Sequence, residues 1–161
     1  MEKASEAYLR GTVEPKIDTV DTVVDGLATR KTHQFALKAI DCTGATPIDV
    51  FTVTGDVVLA VIGVVKTTLT TSDAITAEVG VSGDTAKLIA QVADATGLAE
   101  NEIWHDASPD ATIEASSVWN EFLVSNGQDV ILTTTGTVTA GDITFYCKWF
   151  PLSADGDVSA A

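Results

Sequence analysis

The period of the apolar residues changes once along this chain, near residue 33, and that change limits what the chain can fold into. Past Gln34 the apolar side chains either alternate with polar ones or run together in short blocks, bounded by Gly, Asp, Asn, Ser and Pro. This is the pattern of strands, because successive side chains on a strand point to opposite faces of a sheet. The 19 Val, 10 Ile and 23 Thr, close to a third of the 161 residues, agree with it. Branching at Cβ stiffens χ1 and suits a pleated, half-buried surface. The length fits one domain of ordinary size, able to build a core without staples.

Phe35, Leu37 and Ala39 alternate with polar or small neighbours, 41–46 reads as a turn, and 48–54 is a second strand closed by Gly55-Asp56. Residues 57–65 are apolar at nearly every position, which predicts a strand buried on both faces. A helix is the rival reading there, but Gly63 and the richness in Val and Ile favour strand. Residues 76–82 alternate again and Gly83-Asp84 closes them, while 86–92 fits either a strand or a helical turn. Residues 118–124, Asn126-Gly127 and 130–135 predict a hairpin, since Asn-Gly suits the positive φ of a type I′ turn. Residues 137–140, Gly141-Asp142 and 143–150 supply the last strands. Eight to ten short strands at this spacing predict an all-β, antiparallel β-sandwich of jelly-roll type over 34–152. The small, acidic residues 153–161 are expected to form a flexible tail.

Residues 1–33 read as an anchor containing a short amphipathic helix. Glu14-Pro15 fits a helix start, where the missing N–H of proline is harmless. Val13, Ile17, Val20, Val24 and Leu27 are spaced 4, 3, 4 and 3, the seam of a coiled coil, with Asp18, Asp21 and Asp25 on the wet side. Gly26 and Thr29-Arg30-Lys31 mark the end, with two cations favourably placed near a helix C-terminus. About two heptads are too few to hold helices together alone. The helix therefore either lies on its own β domain or forms a seam or anchor shared between subunits of a homo-oligomer, and the strict spacing favours the seam.

The formal net charge is −14, and it is unevenly laid out. Residues 1–40 hold six bases and six acids, 41–87 carry −4, and 88–161 carry −10 with Lys148 as their one base. Such a charge repels phosphate and anionic lipid, which argues against partners of nucleic acid or membrane. The first ten residues do not read as a secretory signal, and the apolar run at 57–65 is far short of the roughly 20 residues of a spanning helix. Cys42 and Cys147 show no metal-ligand spacing and are expected to be buried free thiols, unless their strands prove to be neighbours close enough for a disulfide.

Little in the chain points to catalysis. His105 lies in Trp104-His105-Asp106, but neighbours on a strand diverge, and no Gly-x-Ser-x-Gly elbow, phosphate loop or His-Glu-x-x-His motif occurs. Glu100/Glu102 and Asp106/Asp110 read as solvated loop charges rather than an acid–base pair. Asp155-Gly156-Asp157 is only a fragment of a Ca²⁺ loop, lacking the four or five oxygen ligands needed. No catalytic residue, cofactor or metal is expected. The run 145–150 places Phe145, Cys147 and Trp149 on one strand face and Tyr146, Lys148 and Phe150 on the other. The first set reads as core and the second as a candidate subunit interface.

The stretch 79–85, Val-Gly-Val-Ser-Gly-Asp-Thr, followed by Glu102-Ile103-Trp104, Asn126-Gly127 and 143–153, resembles small structural virion proteins of tailed bacteriophages. The resemblance covers about residues 45–157 and leaves out the front helix, as suits an anchor that varies with the particle it binds. It implies a non-catalytic part of the virion, made in the host cytoplasm, whose partners are other virion proteins and copies of itself, commonly as a trimer. The expectation is a capsid decoration or head-fibre protein that docks by its N-terminal segment and projects an acidic β domain. The alternative is a tail-fibre or tail-tip component, including a glycan-binding module that would stack sugar on Trp104 or Trp119.

Overall fold

A computed structural model describes residues 33–44, 46–109, 112–125 and 127–161. The chain divides into two units, Met1–Thr32 and His33–Ala161, and the described residues belong to the second. The expected helix, with Val13, Ile17, Val20, Val24 and Leu27, lies outside them.

Ten strands follow one another: β1 (Gln34–Asp41), β2 (Ile48–Thr54), β3 (Val57–Thr71), β4 (Ala77–Val81), β5 (Asp84–Val92), β6 (Ile103–Trp104), β7 (Phe122–Val124), β8 (Val130–Thr134), β9 (Val138–Pro151) and β10 (Asp157–Ala160). They form two five-stranded antiparallel sheets. The first has the order β1-β9-β3-β6, with β7 also paired to β3, and the second has the order β10-β2-β8-β4-β5. From β1 to β4 each strand passes to the opposite sheet. Phe51, Val53, Val79, Ile89 and Leu132 of the second sheet meet Leu59, Val61, Phe145, Cys147 and Trp149 of the first in one hydrophobic cluster. Two sheets over a shared core is the layout of an all-β sandwich. Among the described residues, no helix is long and apolar enough to cross a membrane.

The run at 57–65 owes its apolar character to position. It opens β3, which has β9 along one side and β6 and β7 along parts of the other. Its inner face is buried, but Val58, Ile62 and Val64 on the outer face are only half-buried, so the expected burial on both faces holds for one face alone. The open choice at 86–92 resolves as strand β5, joined to β4 through Ser82-Gly83.

Several expectations need correction. The hairpin across Asn126-Gly127 does not form: β7 pairs with β3 in the first sheet, whereas β8 pairs with β2 and β4 in the second. Gly127 does take a positive φ of 69°, so the chain turns where the dipeptide says it should while the flanking strands part company. Residues 118–124 are also not one strand, since Ser116–Val118 form a 3-10 turn and only β7 is extended. Gly141-Asp142 does not separate two strands but lies inside β9, where the pairing with β3 shifts register. Finally, 153–161 is no loose tail. β10 pairs with β2, Val158 is buried, and the Lys38 ammonium donates to the carbonyl of Ala161. One buried apolar side chain and a strand edge open on β2 are enough to hold so short a segment.

Candidate functional site

Directly opposed residues of an antiparallel pair share a face, so the register fixes the outer surface of the first sheet. Phe35 and Leu37 of β1 stand opposite Lys148 and Tyr146 of β9. On the other side of β9, Phe150, Lys148, Tyr146 and Thr144 stand opposite Val58, Ala60, Ile62 and Val64 of β3. Leu123 of β7 extends the row of Val58, and Ile103 of β6 that of Val64. Among the strand residues of these rows Lys148 is the one charge. Phe35 is 71% exposed, Leu37 54% and Leu123 66%. Tyr146, Lys148 and Phe150 are half-buried and face outward together, while Phe145, Cys147 and Trp149 fill the core.

The lysine is not left bare. Its ammonium lies 2.8 Å from a carboxylate oxygen of Glu121 and 5.7 Å from the centre of the Trp119 ring. Glu121 also lies 3.5 Å from the His33 imidazole, which packs edge-on against Phe150 at 5.6 Å. The hydrogen bond from Lys148 holds the Glu121 carboxyl below its ordinary range, against the opposing effect of desolvation. The segment just before β7 thus brings a carboxylate and an aromatic ring over the lysine, leaving the centre of the face close to neutral, while Asp41 and Asp142 stand opposite each other at its end. By contrast, the second sheet turns Asp49, Glu78 and Asp157 outward between its core residues. Glu78 is buried there and accepts hydrogen bonds from Thr85 and Gln91.

Phe35 and Leu37 belong to this face although alternation alone does not assign them to it. The pattern of β1 is legible in the sequence, but its direction is not. The opposite parity, Ala36, Lys38, Ile40 and Cys42, becomes progressively more buried, and it is that set which turns inward.

The other candidates are dispersed. Trp104 is 0% exposed, packs against Phe145 and donates its indole N–H to the carbonyl of Asp106 at 3.0 Å, so it offers no ring to a sugar. Trp119 is half-buried beside Lys148. The expected divergence of His105 and Asp106 fails, because β6 ends at Trp104 and the chain bends. The imidazole, mostly buried, lies 3.7 Å from Asp106 and 3.9 Å from Glu114. Asp106 caps the backbone N–H of Ser108 and Glu102 that of Ala99, so these carboxylates serve their own loops. Glu100 is exposed, and Asp110 lies outside the described residues. Asp157 is spent on β10, while a hydrogen bond from Ser153 lowers the pKa of Asp155. Among the described residues no group of three or more His, Cys, Asp or Glu could hold a metal ion.

Cys42 and Cys147 are buried free thiols, and burial pushes both up to about 12. Their strands are neighbours, but Cys147 stands opposite Ala36, six residues before Cys42, a separation of roughly 20 Å at 3.3 Å per residue. That exceeds the reach of a disulfide. A cleft of about 190 Å³ opens between β5 and β7, lined by Val81, Lys87, Leu88, Phe122, Leu123 and Gln128 among others. It falls below the roughly 300–1,000 Å³ usual for small-molecule pockets. A groove of about 320 Å³ runs past Pro47, Asp49, Ser82, Asp129 and Ile131. No histidine or cysteine lines either one.

No family model matches the chain, and no curated protein matches it. Among solved structures, a protein described under "Bacillus endospore appendages form a novel family of disulfide-linked pili" is 16% identical. The match covers 77% of this chain and 94% of that one at a TM-score of 0.36, too distant to carry an argument about either fold or role.

Proposed function

We propose that this chain is a structural virion protein of a tailed bacteriophage, a capsid decoration or head-fibre protein. In this reading residues 1–33 form an anchor whose helix seam (Val13, Ile17, Val20, Val24, Leu27) grips the particle or other subunits. The β domain assembles as a homotrimer and projects its acidic surface into solvent. The observation that carries the reading is the strand order. The order β1-β9-β3-β6 facing β2-β8-β4-β5 supports a jelly roll, two nested Greek keys, with β10 as an added edge. Jelly rolls serve as viral capsid domains, which supports the role by analogy of architecture. The reading assigns no catalytic residue, no cofactor and no metal, and its partners are other virion proteins and copies of the same chain.

The test is co-sedimentation with particles. Val20→Asp combined with Val24→Asp is expected to leave a folded domain that no longer joins them. Sedimentation of the double variant in wild-type amount would show that docking does not use the seam. A second reading, a tail-fibre or tail-tip component that binds glycan, draws on Trp119, whose ring borders the outer face beside Lys148 and Glu121. Glycan-array binding abolished by Trp119→Ala would favour it.

A further inference from the structure

We propose that the outer face of the first sheet, from the edge strand β1 to β7, is the surface on which a second copy of this chain sits. The proposal deepens the homo-oligomeric part of the reading above and rests on it in that respect alone. Three observations carry it. The first is apolar extent. Phe35, Leu37 and Leu123 together leave roughly 400 Å² of side chain open, already the size of the largest patch on a typical monomer. The half-buried Val58, Ile62, Val64 and Phe150 lie between them and carry the surface toward the roughly 800 Å² per partner of a stable interface.

The second is charge. Residues 33–161 hold 4 Lys and 17 Asp or Glu, so two copies repel in most orientations. The outer side of the second sheet carries Asp49, Glu78 and Asp157 and would bring carboxylates together. At the centre of the first sheet's outer face Lys148 and Glu121 neutralise each other within one copy, and the strand carboxylates of that face, Asp41 and Asp142, are confined to its far end. Around the Lys148–Glu121 pair two identical faces can meet without an uncompensated charge, with Asp41 and Asp142 left at one end of the face.

The third is the edge. Among the described residues β1 pairs with β9 alone, so its other side is an open strand edge whose outward side chains are Phe35 and Leu37. Long apolar edges of this kind are normally covered. A second copy would cover edge and face at once, in the self-complementary manner of a two-fold contact or along the sides of a trimer.

The experiment is sedimentation equilibrium of the full chain over a wide concentration range, at about 0.05 and 0.5 M NaCl. The expected result is a reversible oligomer that tightens several-fold with salt, because screening removes the long-range repulsion and leaves apolar contact intact. Phe35→Asp with Leu37→Asp is expected to weaken self-association roughly 100-fold, with unchanged circular dichroism, since both side chains are exposed. Leu123→Asp, on a different strand, provides a second variant and is expected to weaken it about tenfold. A chain that stays monomeric throughout would overturn both this proposal and the oligomeric reading. An oligomer unaffected by these substitutions but separated by Val20→Asp with Val24→Asp would overturn the proposal and leave the oligomeric reading standing.

Discussion

Gly141→Ala is the sharpest probe of how β9 is built. This glycine has a φ of +142°, in a region nearly closed to residues with a side chain, and entering it costs about 1–3 kcal/mol. A Cβ there would lie 2.8 Å from Cγ, 2.9 Å from Cα and 2.9 Å from Cδ1 of Leu69, which is buried. Because Cα belongs to the backbone, the neighbour cannot step aside by changing rotamer, and overpacking of this kind adds about 1–3 kcal/mol. The combined loss, about 2–6 kcal/mol, is a large share of the 5–15 kcal/mol that holds an ordinary domain together. Urea unfolding followed by fluorescence reads it, as a midpoint that falls at constant slope. Gly44→Ala supplies the control, since Gly44 also has a positive φ, 102°, but a Cβ on it would meet nothing within 4 Å. It is expected to lose only the conformational part. Placing Gly141→Ala in a Leu69→Ala background should recover, as a coupling energy, the share of the steric part that comes from Cγ and Cδ1, while the clash with Cα persists. A loss below about 1 kcal/mol for Gly141→Ala would refute the reasoning on both counts.

Val158→Ala is expected to cost about 1–2.5 kcal/mol in the same assay, and Ser159→Asp close to nothing, because Val158 is buried and Ser159 exposed. Equal, negligible effects would return 153–161 to a loose tail. The depressed pKa of Glu121 adds stability above its unfolded pKa that is lost as pH falls through the lower folded value. Thermal unfolding between about pH 6 and 3 should therefore be less pH-dependent in Glu121→Gln, and an unchanged slope would remove the Lys148 contact from the account. Both thiols are neutral and buried in the folded chain, so they should resist thiol reagents until it unfolds. Their pKa values are raised from 9.0 to about 12, so the stability they contribute is complete below pH 9 and declines as pH climbs toward 12. Rapid labelling of the native protein at neutral pH would contradict this.

How far the sequence reveals the fold depends on the range of the interaction involved. Strand character in β2, the opening of β3 and β9 is legible, because alternation and apolar runs are local consequences of burial. The partner of a strand is not. Asn126-Gly127 announces a turn, yet whether the flanking strands pair or part depends on open edges of β3, β2 and β4 that lie far off in sequence. Gly141-Asp142 looks like a turn because a bulge and a turn place the same demand on φ. β10 carries one buried apolar residue, too little to show as a period, and owes its place to the edge of β2. For the outer face, the set Tyr146, Lys148 and Phe150 is readable from alternation alone. Phe35 and Leu37 join it only through the register of β1 on β9. The contact of Glu121 with Lys148 is beyond reach, since a loop residue follows no period that foretells which side chain it covers.

The reading as a virion protein is tested most directly by a three-dimensional density map of the phage particle. It predicts copies of this chain on the particle in threefold clusters, held at their N-terminal ends, with the β domain projecting outward. Particles whose density accommodates no such domain on head or tail would contradict it.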